Sequence, residues 1–189
     1  HDVETMNLIR AELNELPNGK HIIMYGEPWI ASDSPMEEGF TPALKKHVDL
    51  LDDNIAIFCD STRDAIKGSV FEAKEPGFAN GENGLEEDVM SSVYAWCDGG
   101  HSDFRPKTPS QIISYVSAHD NYTLWDKLAI TLQDEVDFAA KDEKVLAVNK
   151  LVAGIVLTCK GTPFFQAGEE FGRTKLGDEN SYISSADIN

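Results

Sequence analysis

The hydrophobic positions of this chain switch between two periods. Near the start, Met6, Ile9, Leu13 and Leu16 recur at helical spacing behind Asp2, whose side chain suits a helix N-cap, and Pro17-Asn18-Gly19 ends the pattern. An apolar run over residues 21–25 comes next, as expected of a strand buried on both faces, and it closes in Gly26 and the carboxylate Glu27. The succession then returns: an amphipathic stretch around Leu44, Val48 and Leu51 predicts a helix, and residues 55–59 predict a second strand closed by Asp60. Residues 61–110 form a long excursion with helical pieces near 64–71 and 85–95, parted by a Gly-, Asn- and Pro-rich loop over 75–84. Loops of that length in compact folds tend to carry function. A third strand is expected over 112–117, closing in His119, Asp120 and Asn121, and a fourth over 162–167, closing in Gly168, Glu169 and Glu170. Between them, Val145, Val148, Val152, Ile155 and Cys159 make one helical apolar stripe, ended by Gly161 and Pro163.

Continuous apolar strands alternating with helices imply a parallel sheet covered on both faces. Such a pattern suits an open doubly wound sheet or half of a (β/α)8 barrel. The open sheet predicts a glycine-rich phosphate turn after an early strand, whereas Gly77, Gly81 and Gly84 follow no strand. The barrel predicts polar residues at the C-terminal ends of several strands, where active sites of that fold lie, and Glu27, Asp60, His119, Asp120 and Glu169 meet the expectation. The fold class expected is therefore α/β, a partial (β/α)8 barrel. Its parts are a helix over 1–20, two strand and helix units over 21–60, the excursion over 61–110, and the last two strands with a trailing loop over 111–189.

Composition narrows the partners. A 189-residue chain with 41% hydrophobic residues can fill one core. A formal charge of −17 repels phosphate backbones and anionic lipid, so neither nucleic acid nor membrane is expected, and a neutral substrate is. No basic-then-apolar leader or spanning apolar stretch is visible, and the compartment stays open. Cys59, Cys97 and Cys159 are widely spaced and contain no C-x-x-C pair, so neither a disulfide framework nor a zinc site is expected, and buried reduced thiols are. No ligand set for a metal or other cofactor can be read.

Two carboxylates from different strands at one barrel mouth are the raw material of glycoside hydrolysis, in which one acid protonates the leaving oxygen and another carboxylate acts at the anomeric carbon. Glu27 and Asp120 are the candidates, and Glu27 has aromatic flanks, Tyr25 and Trp29, that suit a proton donor and can stack on sugar faces. For any one strand, an acid at its end is more often a cap for the next helix, so the case rests on the set. His119 adjoins Asp120 in a way that does not fit a Ser-His-Asp relay and does fit a donor to sugar hydroxyls. Asn121-Tyr122-Thr123 matches a glycosylation acceptor, but a glycan there would block the mouth.

These residues resemble the type I pullulanases, debranching members of the α-amylase-type glycoside hydrolases. Tyr25-Gly26-Glu27-Pro28-Trp29 is similar to the general-acid motif of barrel strand five, and Tyr115-Val116-Ser117-Ala118-His119-Asp120-Asn121 to the transition-state-stabiliser motif of strand seven. The stretches from Arg63 to Phe71 and from Gly161 to Phe171 resemble the segments after strand six and on strand eight, and Arg173-Thr174-Lys175 with Gly177-Asp178-Glu179-Asn180-Ser181-Tyr182 resemble the substrate-side loop. The resemblance implies strands five to eight of the barrel, Glu27 as acid/base and Asp120 as stabiliser. It further implies substrate contacts from His119, Trp29, Tyr25, Asn121, Arg173 and Asn180, and a branched α-glucan as substrate.

The resemblance also marks a departure. The family's nucleophilic Asp lies on strand four, and the stretch from His1 to Met6 resembles the segment that begins shortly after that nucleophile, so Asp2 is not it. The expectation is a fragment of a larger enzyme, inactive alone, that requires the N-terminal half of the barrel. The activity implied is retaining hydrolysis of α-1,6 branch linkages in pullulan, glycogen or limit dextrins. Hydrolysis or transglycosylation at α-1,4 linkages and a non-catalytic glucan-binding barrel are the alternatives.

Overall fold

Four short strands lie side by side in chain order, all parallel, in a computed structural model that describes residues 1–30, 38–99 and 103–188. The strands are β1 (Met24–Gly26), β2 (Ile55–Phe58), β3 (Ile112–Ser114) and β4 (Thr162–Pro163). Five α-helices accompany them: α1 (Val3–Asn14), α2 (Asp60–Lys67), α3 (Glu86–Val93), α4 (Leu124–Leu132) and α5 (Glu143–Thr158). Register sets Tyr25 beside Ala56, Phe58 beside Ile113, and Ile113 beside Thr162.

The two faces of the sheet differ in chemistry because strand residues alternate. On one face Ile55, Ile57, Cys59 and Ile112 pack with Val3, Val48, Leu51, Trp96 and Phe104. The other face is aromatic: Phe58 sits edge-on to Tyr25, Tyr115 and Phe164 at centroid distances of 5.7, 5.0 and 5.0 Å. A second core joins Val116 to Leu124, Leu128, Val145, Val152 and Val156, so α4 and α5 close over the end of β3. Gly161 admits the close approach of β4 to β3, since a Cβ there would lie 2.8 Å from the Ile112 carbonyl oxygen.

Several expectations need correction. The first strand is not buried on both faces: Ile23 is 64% and Tyr25 51% exposed, because β1 lies at the edge of the sheet and has one neighbour among the described residues. The two inner strands are covered, since Ala56, Ile113 and Tyr115 are buried. Asp2 does cap α1, accepting from the Thr5 N–H at 2.6 Å, but Ile9 and Leu16 of the predicted stripe are exposed. Arg10 takes the inward position, fully enclosed, and donates to the Gly19 and Ile22 carbonyls, both at 2.6 Å.

The helix expected around Leu44 to Leu51 is instead a 3-10 turn, Lys45–Leu50, in which His47 leaves helical geometry and its Nδ1 lies 2.7 Å from the Pro42 carbonyl oxygen. Val48 and Leu51 are buried at a spacing of three, which that tighter helix aligns. All four strands are also shorter than expected. Residues 115–117 stay buried but have left the ladder. Between β3 and β4 there are two helices where one apolar stripe was visible. The additional one, α4, is capped by Thr123, whose Oγ1 accepts from the Asp126 N–H at 3.1 Å. Cys59 and Cys159 are buried free thiols, while Cys97 is exposed. Among the described residues no helix is long and apolar enough to cross a membrane.

Candidate functional site

The first half of the site grows from β1. Its last residue, Gly26, is followed by Glu27 and then by Pro28, whose carbonyl accepts from the Lys45 N–H at 3.0 Å and so ties the strand end to the 3-10 turn. Trp29 Nε1 donates to Glu27 Oε2 at 3.3 Å, which holds one carboxylate oxygen and leaves the other toward solvent. A cavity of about 850 Å³ has Tyr25, Glu27, Trp29 and Phe58 in its wall. The aromatic flanks are present, but the enclosure they imply is not, because Glu27 stands at the exposed edge of the sheet.

The second half grows from β3. Tyr115, Val116 and Ser117 are buried, and the chain then surfaces at His119 and Asp120. Their side chains lie 3.8 Å apart, Nδ1 to Oδ1, and are 67% and 49% exposed, so the pair adds little stability and is open to a ligand. Asn121 turns the chain in the left-handed region at φ 60°, leading to the Thr123 cap of α4. Behind this turn, Arg63 donates to the Tyr115 hydroxyl at 3.1 Å and is gripped by Asp64 at 2.7 and 3.1 Å. Burial opposes the charge on the guanidinium but this grip outweighs it, and burial pushes the Tyr115 hydroxyl far up. Lys67, also buried, donates to the Tyr122 carbonyl at 3.3 Å. In the glycosylation tripeptide, Thr123 is buried and occupied as the cap.

The other predicted residues lie in the segment after β4. Arg173 Nη1 donates to the Ala167 carbonyl at 3.2 Å, and Asn180 is exposed with its backbone N–H on Asp178 Oδ1 at 2.9 Å. Within the same segment the Tyr182 ring comes to 6.1 Å from that of His119. The predicted residues thus form two groups. Glu27, Tyr25 and Trp29 stand at β1, and His119, Asp120 and Asn121 stand beyond β3 with the loop of Arg173 and Asn180 nearby. The aromatic row through Phe58 and Tyr115 runs across the strands between them.

The two further strand-end acids differ in their surroundings from Glu27 and Asp120. Asp60 opens α2 and meets Lys45 Nζ at 2.5 Å, while Glu169 is buried with neither oxygen in a well-formed hydrogen bond. Burial pushes the Glu169 carboxyl up to about 7 against the pull of the Lys67 ammonium. Sequence reasoning missed the supporting roles of Arg63, Lys67 and Asp126, and Tyr182 as a neighbour of His119. The one local signal was Thr123 three residues before Asp126, a cap pattern. Among the described residues no group of three or more His, Cys, Asp or Glu could hold a metal ion.

No family model matches the chain. A pullulanase of Bacillus subtilis is 35% identical over the whole chain, which covers 25% of that protein, and pullulanase A of Streptococcus pneumoniae is 29% identical over 86% of the chain and 12% of its own length. Among solved structures, the apo pullulanase of Paenibacillus barengoltzii superposes on all of the chain with a TM-score of 0.85 at 38% identity, over 27% of its own length. The type I pullulanase of Bacillus subtilis in complex with maltose gives 0.83 at 34% identity, again over all of this chain and 25% of that one. The chain is therefore similar to pullulanases by sequence and by fold over its whole length, as a segment spanning about a quarter of the length of the relatives it matches.

Proposed function

We propose that these residues are strands five to eight of a (β/α)8 catalytic barrel that hydrolyses α-1,6 branch linkages of α-glucans with retention. Pullulan, glycogen and limit dextrins are the substrate class. The observation that carries the reading is the common direction of four adjacent parallel strands, whose C-terminal ends bear Glu27 and the His119-Asp120 pair. Likeness to pullulanases over the whole chain, including one crystallised with maltohexaose and α-cyclodextrin, supports it. The outer edge of β1, unpaired among the described residues, fits continuation of the sheet by the N-terminal half of a barrel.

In this reading Glu27 protonates the glycosidic oxygen as the bond breaks and then, as a carboxylate, takes the proton of the water that releases the sugar. Trp29 holds its carboxyl through the indole N–H. Asp120 steadies the positive charge of the oxocarbenium-like transition state, and His119 donates to a sugar hydroxyl. Tyr25 and Trp29 offer ring faces to the sugar, and Asn121, Arg173 and Asn180 supply polar contacts. The attacking carboxylate comes from outside these 189 residues, about 5 to 5.5 Å from Glu27.

Glu27→Gln in the complete enzyme tests the assignment. Turnover of pullulan should fall at least about a hundred-fold while glucan binding persists. Unchanged turnover would sink the acid/base role. Linkage is read from products of the parent enzyme on pullulan, where maltotriose supports α-1,6 cleavage and panose opposes it.

A further inference from the structure

Asp126, in the first turn of α4, is fully buried and receives donors from a single distant segment. Thr174 Oγ1 donates to its Oδ1 at 2.5 Å, and the backbone N–H groups of Lys175 and Gly177 donate to Oδ2 at 2.9 and 3.2 Å. The two N–H groups converge because Leu176 between them adopts φ 55°, a left-handed conformation that a leucine does not choose without external hold. Thr174 Oγ1 also accepts the Leu176 N–H at 2.8 Å, so hydroxyl and carboxylate together shape the bend.

The hold extends in both directions. The buried Lys175 ammonium reaches on to Ser181 Oγ, next to Tyr182, whose ring faces His119. On the other side, Asp126 is bonded through its own N–H to Thr123, two residues beyond Asn121. One carboxylate therefore connects the turn that carries His119 and Asp120 to the loop that carries Tyr182.

We propose that Asp126 is a positioning residue for glucan binding: by gripping residues 174–177 it sets Tyr182 against His119 and so forms one wall of the sugar site. It touches neither solvent nor substrate, and it acts on binding rather than on the chemical step. The inference rests on the reading of His119 and Asp120 as part of the glucan site.

The test uses the complete enzyme. Asp126→Asn keeps the shape of the side chain but turns an amide toward groups that need an acceptor, and should raise KM for pullulan about ten-fold with kcat held within about two-fold. Tyr182→Ala should raise KM similarly, and the double variant should add nothing further, because both changes remove the same wall. Thr174→Val, which removes the hydroxyl's bonds to Asp126 and to the Leu176 N–H but keeps the two backbone donors to Asp126, should raise KM by a smaller factor and serves if Asp126→Asn does not fold. The proposal is overturned by an unchanged KM in both Asp126→Asn and Thr174→Val, by additive effects of Asp126→Asn and Tyr182→Ala, or by a kcat loss at unchanged KM. If Glu27→Gln abolishes turnover while KM stays fixed in these variants, only the positioning role fails; if Glu27→Gln is as active as the parent, the catalytic reading itself fails.

Discussion

At the scale of single residues, five strand-end positions that read alike in sequence have separated into different roles. Glu27, His119 and Asp120 face outward, Asp60 is bound to Lys45, and Glu169 is enclosed near Lys67. That difference has a pH consequence. Burial raises the Glu169 carboxyl from 4.5 to about 7, so its protonated form is the one favoured in the folded state. The stability this group contributes is full below the unfolded value and is lost as pH rises through about 7. Glu169→Gln should therefore gain on the parent across that window, by up to about 3 kcal/mol, read as a difference in Tm that widens between acid and neutral pH. A difference that stays constant over the window would refute the buried-acid account. Lys67, pushed down to about 7 by burial and by Arg63, acts in the opposite sense: its folded value lies below its ordinary 10.5, so it costs stability below that value and ceases to do so as pH rises toward it. Position at a strand end was legible in the sequence because an apolar run announces the strand. Enclosure was not, because it depends on which helix arrives from elsewhere in the chain.

At the scale of elements, the helical and strand periods located α1, β2, α2, α3 and α5 to within a few residues, and they misjudged what each element turns inward. The inward face of α1 is decided by Arg10, whose guanidinium closes the carbonyls of Gly19 and Ile22 just ahead of β1. Hydrophobicity alone assigns that face to Ile9. Arg10→Ala should take the side-chain donor from the Ile22 carbonyl, leave the Gly19 carbonyl with the Ile22 N–H alone, and loosen the approach to Glu27. Amide exchange at residues 22–26 is expected to quicken at least about ten-fold, with no change in α5. Equal acceleration in α5 would indicate a global loss of stability instead. The helix α4 was not anticipated; its apolar residues, Leu124, Leu128 and Leu132, come directly after the motif of the site and lie apart from the apolar stripe of α5. Its start depends on the Thr123 cap, a single polar contact that no hydrophobic count registers.

At the scale of the whole molecule, β1 leaves one edge of a parallel sheet unpaired among the described residues, with Ile22, Ile23 and Tyr25 exposed along it. Parallel sheets are found with both faces covered and their edges protected, so this edge asks for further structure. We expect the 189 residues expressed alone to associate or to unfold without cooperativity, as measured by light scattering and denaturant titration. A soluble monomer with one sharp transition would show that the open edge needs no further structure. By itself the sequence determined the succession of the four strands, their parallel sense and the polar residues that follow them, since apolar runs alternating with helical periods announce a parallel sheet. Tertiary structure alone decided which acids stay in solvent, how Tyr182 comes to His119 and why Asp126 is buried. Those outcomes rest on partners far apart in the chain, 48 positions between Asp126 and Thr174, and a local pattern carries no information about a bond closed across that distance.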